Sequence, residues 1–392
     1  MKMSGGVVNS MAPSARTQIF LTGCRILMGL CLAGVGLLSQ SAPAHAADPA
    51  PWKLDGSTSI DVDALQLESF IVGDTKQTFG ALRFMGGLAL TSTADQFGAF
   101  SGLAISDDGK HLLAISDTGE WFSADIARSN DKLSGLSNTR MAPVRGNDGS
   151  ILNKGHKWNA DAEGLNWSDG RALISFERQM GKLRAVDLGT KGFFAPARIL
   201  PESKLLNTIR GNRGIESIAV PPKNSSLAGS LIAIGERVLN GGNHTGWVLK
   251  GSQINRFFIR RRDDFDITAA EFLPNGDLLL LERRFSLIRG SAVRLRRIAA
   301  VDISAVKSKP GMILDGLDLM TADLSHQIDN MEGMAVRTGP DGMPVILLIS
   351  DDNFNFFQRT LLLEFALRPE EFGVKPQPRP TPNQLQNPAE QP

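Results

Sequence analysis

Glu163-Gly164-Leu165-Asn166-Trp167, followed by Leu173-Ile174-Ser175-Phe176-Glu177, is one copy of a pattern that decides the fold. A small or acidic start leads into a short apolar strand, a turn follows, and a second apolar run ends at a charged residue. The five copies of this pattern begin at Ser101, Glu163, Glu216, Ala270 and Glu332. A unit that recurs roughly every 50 to 65 residues and carries short strands is typical of a radial repeat.

The turns and the second runs favour small antiparallel sheets. Asp107-Asp108-Gly109 and Pro274-Asn275-Gly276 supply the backbone conformations that a hairpin needs. The second run is continuously apolar, as expected for a strand buried on both faces. A third strand follows in each unit. The sequence therefore predicts an all-β fold, a β-propeller.

We expect six blades, with five and seven as the alternatives. Five units are visible, and the stretches Thr58–Val72 and Leu82–Leu90 could supply a further blade, completed by strands from the C-terminal end. Such a joint of both chain ends would close the ring and remove exposed sheet edges. A β-sandwich is the rival all-β interpretation, but it does not explain a repeat of this length.

The chain ends have the composition of targeting and tail segments. Residues 1–46 predict a signal peptide, with basic residues, an apolar run too short to span a bilayer and the cleavage pattern Ala44-His45-Ala46. Residues 47–57 are expected to be a linker, 58–368 the propeller, and 369–392 a disordered proline-rich tail. The sequence thus predicts a periplasmic or secreted protein.

Two cysteines lie in the signal segment, so the mature chain is cysteine-free. Disulfides and thiol chemistry are therefore excluded from the mature body. Cys24 lies in a stretch that resembles a lipoprotein box, but it precedes the apolar run, where an anchoring site would follow it.

The formal net charge of the 392 residues is +1, which excludes a global field that attracts nucleic acid or membrane. We expect no nucleic-acid partner, no membrane span once the signal peptide is cleaved, and a monomer.

Carboxylates recur at two equivalent points of the repeat. Glu163, Glu216 and Glu332 begin the first strand of their units, where the first unit has Ser101. The second runs end at Asp117, Glu177, Glu236, Glu282 and Asp351, with Asp352 directly following the last. If both sets face one mouth of the central channel, their charges repel, and a hard cation with oxygen ligands relieves that repulsion. These residues are therefore the candidate metal ligands, and calcium is the simplest cofactor.

Arginines offer a second way to neutralise the same carboxylates. The candidates are Arg178, Arg213, Arg237 and Arg283, each adjacent or close to one of the acids. Guanidinium groups also bind anionic substrate groups bidentately, so these four are the candidate substrate-binding residues. A purely structural role of the acids, accepting backbone amides at strand ends, remains an alternative at this stage.

The chain resembles the phytase-like family, described as having esterase-like activity. The matching segments are Phe97–Leu103 with Ser116–Gly119, Asp161–Leu165 with Phe176–Arg178, Asn212–Ser217 with Glu236, Leu281–Arg283, and Asn330–Gly333 with Ser350–Phe354. One departure is Gly98-Ala99-Phe100-Ser101-Gly102, where the family tends to have Gly-Gly-x-Ser-Gly. The resemblance implies a secreted propeller that acts on small-molecule phosphoesters or other esters, with calcium.

Two classes of function follow. In the first, the protein is an ester hydrolase of the metal-dependent phosphoesterase type, with Glu163, Glu216 and Glu332 as candidate catalytic residues. In the second, a non-catalytic propeller binds a ligand or a cell-envelope partner and holds structural calcium, since a propeller fold implies little about chemistry. A lactonase-like hydrolase shares the metal ring and differs from the first only in substrate.

Overall fold

The computed structural model describes residues 50–153, 160–177, 182–207, 214–235, 242–286 and 290–372. The strands in chain order are β1 (Thr58–Ser59), β2 (Asp63–Leu67), β3 (Thr78–Phe79), β4 (Leu82–Thr91), β5 (Phe100–Ile105), β6 (His111–Ser116), β7 (Glu120–Ser129), β8 (Lys132–Pro143), β9 (Ala162–Ser168), β10 (Arg171–Phe176), β11 (Leu183–Val186), β12 (Arg198–Ile199), β13 (Ile215–Ala219), β14 (Leu231–Gly235), β15 (His244–Lys250), β16 (Gln253–Ile259), β17 (Asp266–Phe272), β18 (Leu278–Ser286), β19 (Gly290–Ile298), β20 (Ile313–Leu314), β21 (Leu317–Asp323), β22 (Asn330–Thr338), β23 (Pro344–Asp351) and β24 (Thr360–Leu367). The helices are α1 (Leu188–Lys191), α2 (Ser203–Asn207), α3 (Ala300–Ala305) and α4 (Pro369–Phe372).

These strands form five sheets in the described residues, and each sheet is one blade of a β-propeller. The strand orders, from outside to inside, are β1-β8-β7-β6-β5, β12-β11-β10-β9, β20-β16-β15-β14-β13, β21-β19-β18-β17 and β2-β4-β24-β23-β22. The innermost strands β5, β9, β13, β17 and β22 contact one another in a closed ring. The predicted propeller is confirmed.

The expectation of six blades is wrong. Most of the two N-terminal stretches assigned to an extra blade instead completes the fifth, because β4 pairs antiparallel with β24 along its length and β2 pairs with β4, while β1 pairs with β8 in the first blade. The outer half of this blade therefore comes from the start of the chain and the inner half from its end. The predicted joint of both ends is confirmed, and it removes the need for a sixth sheet.

Small residues let the inner strands approach one another around the axis. A Cβ on Gly102 would lie 2.7 Å from the Leu165 Cβ and 2.8 Å from the Leu165 backbone nitrogen in the next blade. A Cβ on Gly164 would lie 3.1 Å from the Glu216 carbonyl oxygen of the third blade. These distances are too short for an ordinary side chain, so glycine at these points is a packing requirement.

The second strand of each blade lies in the core. Every residue of β6 and β23 is buried, as the continuous apolar runs predict. Buried arginine–glutamate pairs join outer strands, as where Glu364 of β24 accepts from Arg128 of the first blade at 2.6 Å and from Arg337 at 3.0 Å. Apolar residues of neighbouring blades thus pack together, and the buried carboxylate of Glu364 among them is paired with arginine.

The predicted linker and tail contribute to the body where the structure describes them. Trp52, inside the predicted linker 47–57, is buried against the first two blades, and its indole nitrogen donates to the Ser123 hydroxyl at 2.9 Å. Residues 369–372 form α4, and the Glu371 carbonyl accepts from Arg297 at 2.7 Å. The predicted signal peptide and the tail beyond residue 372 lie outside the described residues. Within the described ranges, no helix is long and apolar enough to cross a membrane.

Truncating a core residue at the joint tests the fold. Leu363 of β24 is 0% exposed, and Leu65 of β2 in the same blade is 70% exposed. We expect Leu363→Ala to lower the free energy of unfolding by about 2–5 kcal/mol, because it removes buried surface and leaves a cavity. Leu65→Ala should cost less than about 0.5 kcal/mol. Urea unfolding followed by circular dichroism measures both, and equal costs would contradict this packing.

Candidate active site

Each inner strand begins with a β-bulge at the same position. The pairing register of the first and second strands skips one residue in every blade, and that residue is Ser101, Glu163, Glu216, Thr268 or Glu332. A bulge bends a strand and redirects the extra side chain. The five bulges therefore place three glutamates and two hydroxyl residues at one mouth of the channel.

The two hydroxyl bulges join neighbouring blades. Ser101 donates to the Ala162 carbonyl of the second blade at 2.5 Å, and Thr268 donates to the Met331 carbonyl of the fifth blade at 3.1 Å. A short hydroxyl side chain suits this position because it reaches the adjacent backbone and satisfies a buried carbonyl. Thr268 was missed in the sequence, although it occupies the Glu163 position when Asp266-Ile267-Thr268-Ala269 is aligned with Asp161-Ala162-Glu163-Gly164.

The second blade holds a compact group of three carboxylates. Asp161, Glu163 and Glu177 each offer an oxygen, and these oxygens all lie within 4.8 Å of one another. Asp161 precedes β9 and Glu177 follows β10, and the Glu177 amide donates to the Asp161 carbonyl at 3.0 Å. Pairing of the two strand ends, with the bulge between them, thus brings the three acids together.

The surroundings of Glu163 disfavour its charged form. Burial is the largest cause that raises the pKa of Glu163 well above its usual value, followed by the charges of Glu216, Glu332, Asp161 and Glu177. Converging carboxylates in a low-dielectric site repel one another, which makes the site attractive to a cation. An all-oxygen donor set fits a hard ion such as calcium.

A second group combines an acid pair of the fifth blade with an arginine of the fourth. Arg283 donates to Glu332 at 2.8 Å, and Asn330 donates to Glu332 at 2.9 Å and to Asp351 at 3.3 Å. Burial raises the pKa of Glu332, and the nearby Arg283 partly offsets that effect. Burial, followed by the charge of Glu332, raises the pKa of Asp351 to about 7.

Asp117 is the acid that the first blade contributes to the mouth. It follows β6, and its amide donates to the Ala99 carbonyl at 2.9 Å. Its charge contributes to the raised pKa values of both Glu332 and Asp351. The mouth therefore brings together acids from the first, second, third and fifth blades, with Arg283 from the fourth.

Comparison with known proteins decides the family. The sequence profile described as phytase-like, esterase-like activity of phytase, matches residues 95–354. The chain belongs to the phytase-like family. The matched range runs from just before β5 to just after β23, so it includes all five bulges. No curated protein sequence matches the chain.

Solved structures are only distantly similar to this phytase-like chain. The tail fibre of Staphylococcus aureus phage P68 has a TM-score of 0.40 and 13% identity, covering 81% of this chain and 60% of the fibre chain. The Cps50 (Swd1) β-propeller domain of Myceliophteria thermophila has a TM-score of 0.33 and 10% identity, covering 73% and 92%. The N-terminal domain of Nup159 has a TM-score of 0.33 and 9% identity, covering 75% and 97%.

Glu282 lies elsewhere in the phytase-like fold than the sequence predicts. It pairs with Ile267, so the position equivalent to Asp117, Glu177 and Asp351 is that of Arg283. The Glu282 side chain points to the opposite face, is 0% exposed, and accepts from Arg294 at 2.6 Å and from Arg296. The predicted equivalence of Glu282 with Asp117 is therefore wrong by one residue, since Arg283 holds that position in the fourth blade. Side chains alternate between the two faces of a strand, so Glu282 points away from the mouth.

Asp352 is engaged by the chain itself. Its carboxylate accepts from the Ala99 amide at 3.0 Å, from the Phe354 amide at 3.0 Å and from the Thr360 hydroxyl at 2.8 Å. These contacts tie the fifth blade to the start of the first.

Some of the remaining predicted site residues are described by the structure and others are not. Arg178, Arg213, Glu236 and Arg237 lie outside the described residues. Among those described, the structure brings together Asp117, Glu163, Glu177, Glu216, Arg283, Glu332 and Asp351. Asp161 and Asn330 were missed as site residues, although each stands two residues before a bulge glutamate in the patterns Asp-x-Glu-Gly and Asn-x-Glu-Gly.

Replacing Glu163 by glutamine should stabilise the metal-free protein at neutral and higher pH. Because the pKa of Glu163 is raised in the folded state, its ionisation costs stability as pH rises above the value of the unfolded chain, near 4.5. We expect Glu163→Gln to melt at least about 2 °C above wild type near pH 8 in a chelator, and the difference to vanish near pH 4. Calorimetry across this pH range measures it, and a lower melting temperature of the variant near pH 8 would contradict the crowding.

Replacing Glu282 should have the opposite effect. Glu282→Gln removes the buried charge between Arg294 and Arg296, which keep only their contacts with the more exposed carboxylates of Asp263, Asp315 and Asp318. We expect a loss of about 3–5 kcal/mol in the free energy of unfolding, as for other broken buried ion pairs. The exposed Asp95, replaced by asparagine, is the control and should change stability by less than about 0.5 kcal/mol. A loss no larger than that of the control would argue against the buried pair.

Proposed function

We propose that the protein is a metal-dependent ester hydrolase, with phosphoesters as the preferred substrates and the acidic channel mouth as its active site. The observation that carries the proposal is the group Asp161, Glu163 and Glu177, whose carboxylate oxygens lie within 4.8 Å of one another in a partly buried site. Membership of the phytase-like family supports the hydrolase class.

The three carboxylates would hold calcium, with Glu216 close enough to contribute. When bound, the ion would polarise the ester and lower the pKa of a water that attacks it. The charge of the ion would also offset the repulsion that raises the pKa of Glu163. The donor set contains only oxygen atoms, which favours calcium or magnesium over zinc.

The fifth-blade group would bind substrate and move protons. The Arg283 side chain is 41% exposed while one of its nitrogens contacts Glu332, so the guanidinium can contact an anionic substrate at the mouth. Asp351 has a pKa of about 7, which suits a group that accepts a proton from water and later donates it to a leaving alkoxide. Asn330 holds Glu332 and Asp351 at a fixed separation through its amide.

We also propose that the protein acts after export. Residues 1–46 have the features of a signal peptide, and the mature chain from Ala47 contains no cysteine. The assays below therefore use the chain from Ala47 onward. Edman sequencing of the protein from the periplasm or medium should begin at Ala47, and an N-terminus upstream of Ala44 would contradict cleavage at this site.

Activity and metal binding are tested together. We expect calcium to raise the melting temperature of the wild type through linkage, and to support hydrolysis of p-nitrophenyl phosphate or phytate. Asp161→Asn and Glu163→Gln should each lower kcat/KM by about a hundredfold or more, because the loss of metal electrostatics costs several kcal/mol. Asp169→Asn is the matched control, since this exposed acid of the same blade faces the opposite end of the channel.

Substrates of different charge test the proposed role of Arg283. Arg283→Gln should raise KM for the phosphoester about tenfold and leave a neutral aryl ester nearly unchanged. Faster turnover of neutral esters or lactones than of phosphoesters would move the protein to the esterase or lactonase class. Calcium stabilisation without turnover of any ester would overturn the hydrolase and leave the non-catalytic propeller with a structural ion.

A further inference from the structure

The channel has a cavity at the mouth opposite the bulges. Its volume is about 490 Å³, within the range of small-molecule sites. All five blades line it with residues from the C-terminal ends of their inner strands or just beyond, which include Ile105, Trp167, Val220, Glu271 and Val336. It lies about 10 Å along β17 from Thr268, because Glu271 is three residues further along an extended strand.

One side-chain pair crosses the channel at the base of this cavity. Asn166 of the second blade donates to a carboxylate oxygen of Glu271 at 2.7 Å, although the fourth blade that carries Glu271 is not its neighbour. The residues at the same level in the first and fifth blades are Ala104 and Ala335, which leave room for this contact. The cavity therefore ends on a carboxylate held from across the axis.

The hydrogen-bond donors to Glu271 in the described residues are both neutral. They are the Asn166 amide and the backbone amide of Phe272, at 2.9 Å to the second oxygen. Lys223 is the lysine at the cavity rim, and it contacts Asp169 at 2.9 Å. Each oxygen of Glu271 thus keeps acceptor capacity towards the cavity.

The walls above Glu271 combine polar and apolar surface in similar amounts. Ile105, Val220, Pro221, Pro222 and Val336 form the apolar part, and Asp107 lies at the rim. An acid beside an apolar wall, with a net negative rim, is complementary to an organic cation that has an aliphatic body.

We propose that this cavity binds a primary alkylammonium group, with the ammonium on Glu271 and the alkyl chain against the prolines. The ammonium would donate to both carboxylate oxygens and supply the charge that the described contacts of Glu271 lack. The site is independent of the acidic mouth and of the proposed hydrolysis. Burial supports it as well, since it raises the pKa of Glu271 to about 7, and a bound cation would stabilise the ionised form.

Calorimetric titration with n-butylammonium chloride tests the proposal on the mature protein in a chelator. We expect saturable binding of one cation, and weaker binding of 1-butanol and of butyrate. Glu271→Gln should weaken n-butylammonium binding about tenfold or more, because glutamine keeps the hydrogen bond with Asn166 but not the charge. Tighter binding of butanol or butyrate, or equal binding of n-butylammonium by Glu271→Gln, would overturn the proposal, as would no binding.

Two further measurements locate the site. Glu163→Gln, altered at the opposite mouth, should bind n-butylammonium as the wild type does, and loss of binding in this variant would place the cation at the acidic mouth and overturn the proposal.

In the wild type near pH 7, binding should release protons as Glu271 ionises, seen as a dependence of the binding enthalpy on the buffer. The other titratable groups that line the cavity are Asp107, Asp169 and Lys223, and the last two hold each other in their charged forms. Binding without proton release would overturn the assignment to Glu271 even if Glu271→Gln failed to fold.

Discussion

The convergence of five strands on one axis is the constraint on which the rest of the structure depends. Neighbouring inner strands can approach only where side chains are small, as Gly102 and Gly164 show. Larger side chains must therefore leave the axis at its two ends. At one end, the bulges redirect the glutamates towards the channel mouth, where they are partly buried, and at the other, Glu271 and Asn166 contact each other in the space that the alanines leave. Both candidate sites result from this crowding.

The chain treats buried acids in two different ways. Glu282 and Glu364 lie among arginines of their own or adjacent blades, so their charges are compensated by the protein. The dominant electrostatic influences on Glu163 are other carboxylates, which add to the cost of burial. Glu163 is thus crowded by other acids, although Arg283 contacts the neighbouring Glu332, and a ligand that supplies positive charge would stabilise the ionised form of Glu163. This difference in charge compensation, rather than the number of acids, separates the candidate site residue Glu163 from the structural acids Glu282 and Glu364.

Much of the fold could be predicted from the sequence because each repeat contains apolar runs and turn residues that favour particular local structures. The continuous apolar runs of β6 and β23 indicated buried second strands, and the turn residues indicated hairpins. The blade number could not be obtained in this way, since the stretches Thr58–Val72 and Leu82–Leu90 look like a blade of their own. Only pairing between distant segments, β4 with β24, shows that they share a sheet with the C-terminal strands.

The residue types of the site could be predicted better than the exact positions at which they stand along the strands. The bulge glutamates recur at the start of three of the five units and were recognised, as was the family resemblance. Glu282 was misassigned because Leu-Glu-Arg and Phe-Glu-Arg look alike, although the fourth blade is shifted by one residue relative to the mouth. Glu271 was not singled out as a site residue, because its partner Asn166 lies 105 positions away, and no local pattern records a contact across the channel.

The joint in the fifth blade has a consequence for how the molecule forms. The inner edge of β4 pairs with β24, so this edge stays unpaired until the last strand of the chain has been synthesised. Until then both strand edges expose unpaired backbone groups, which can associate with other chains. Pairing over this sequence distance is slow, because the loop to be closed contains nearly the whole propeller. The fifth blade is thus completed only by the last strand of the chain: a chain cut short before Thr360 lacks β24, and with it the link between β4 and β23.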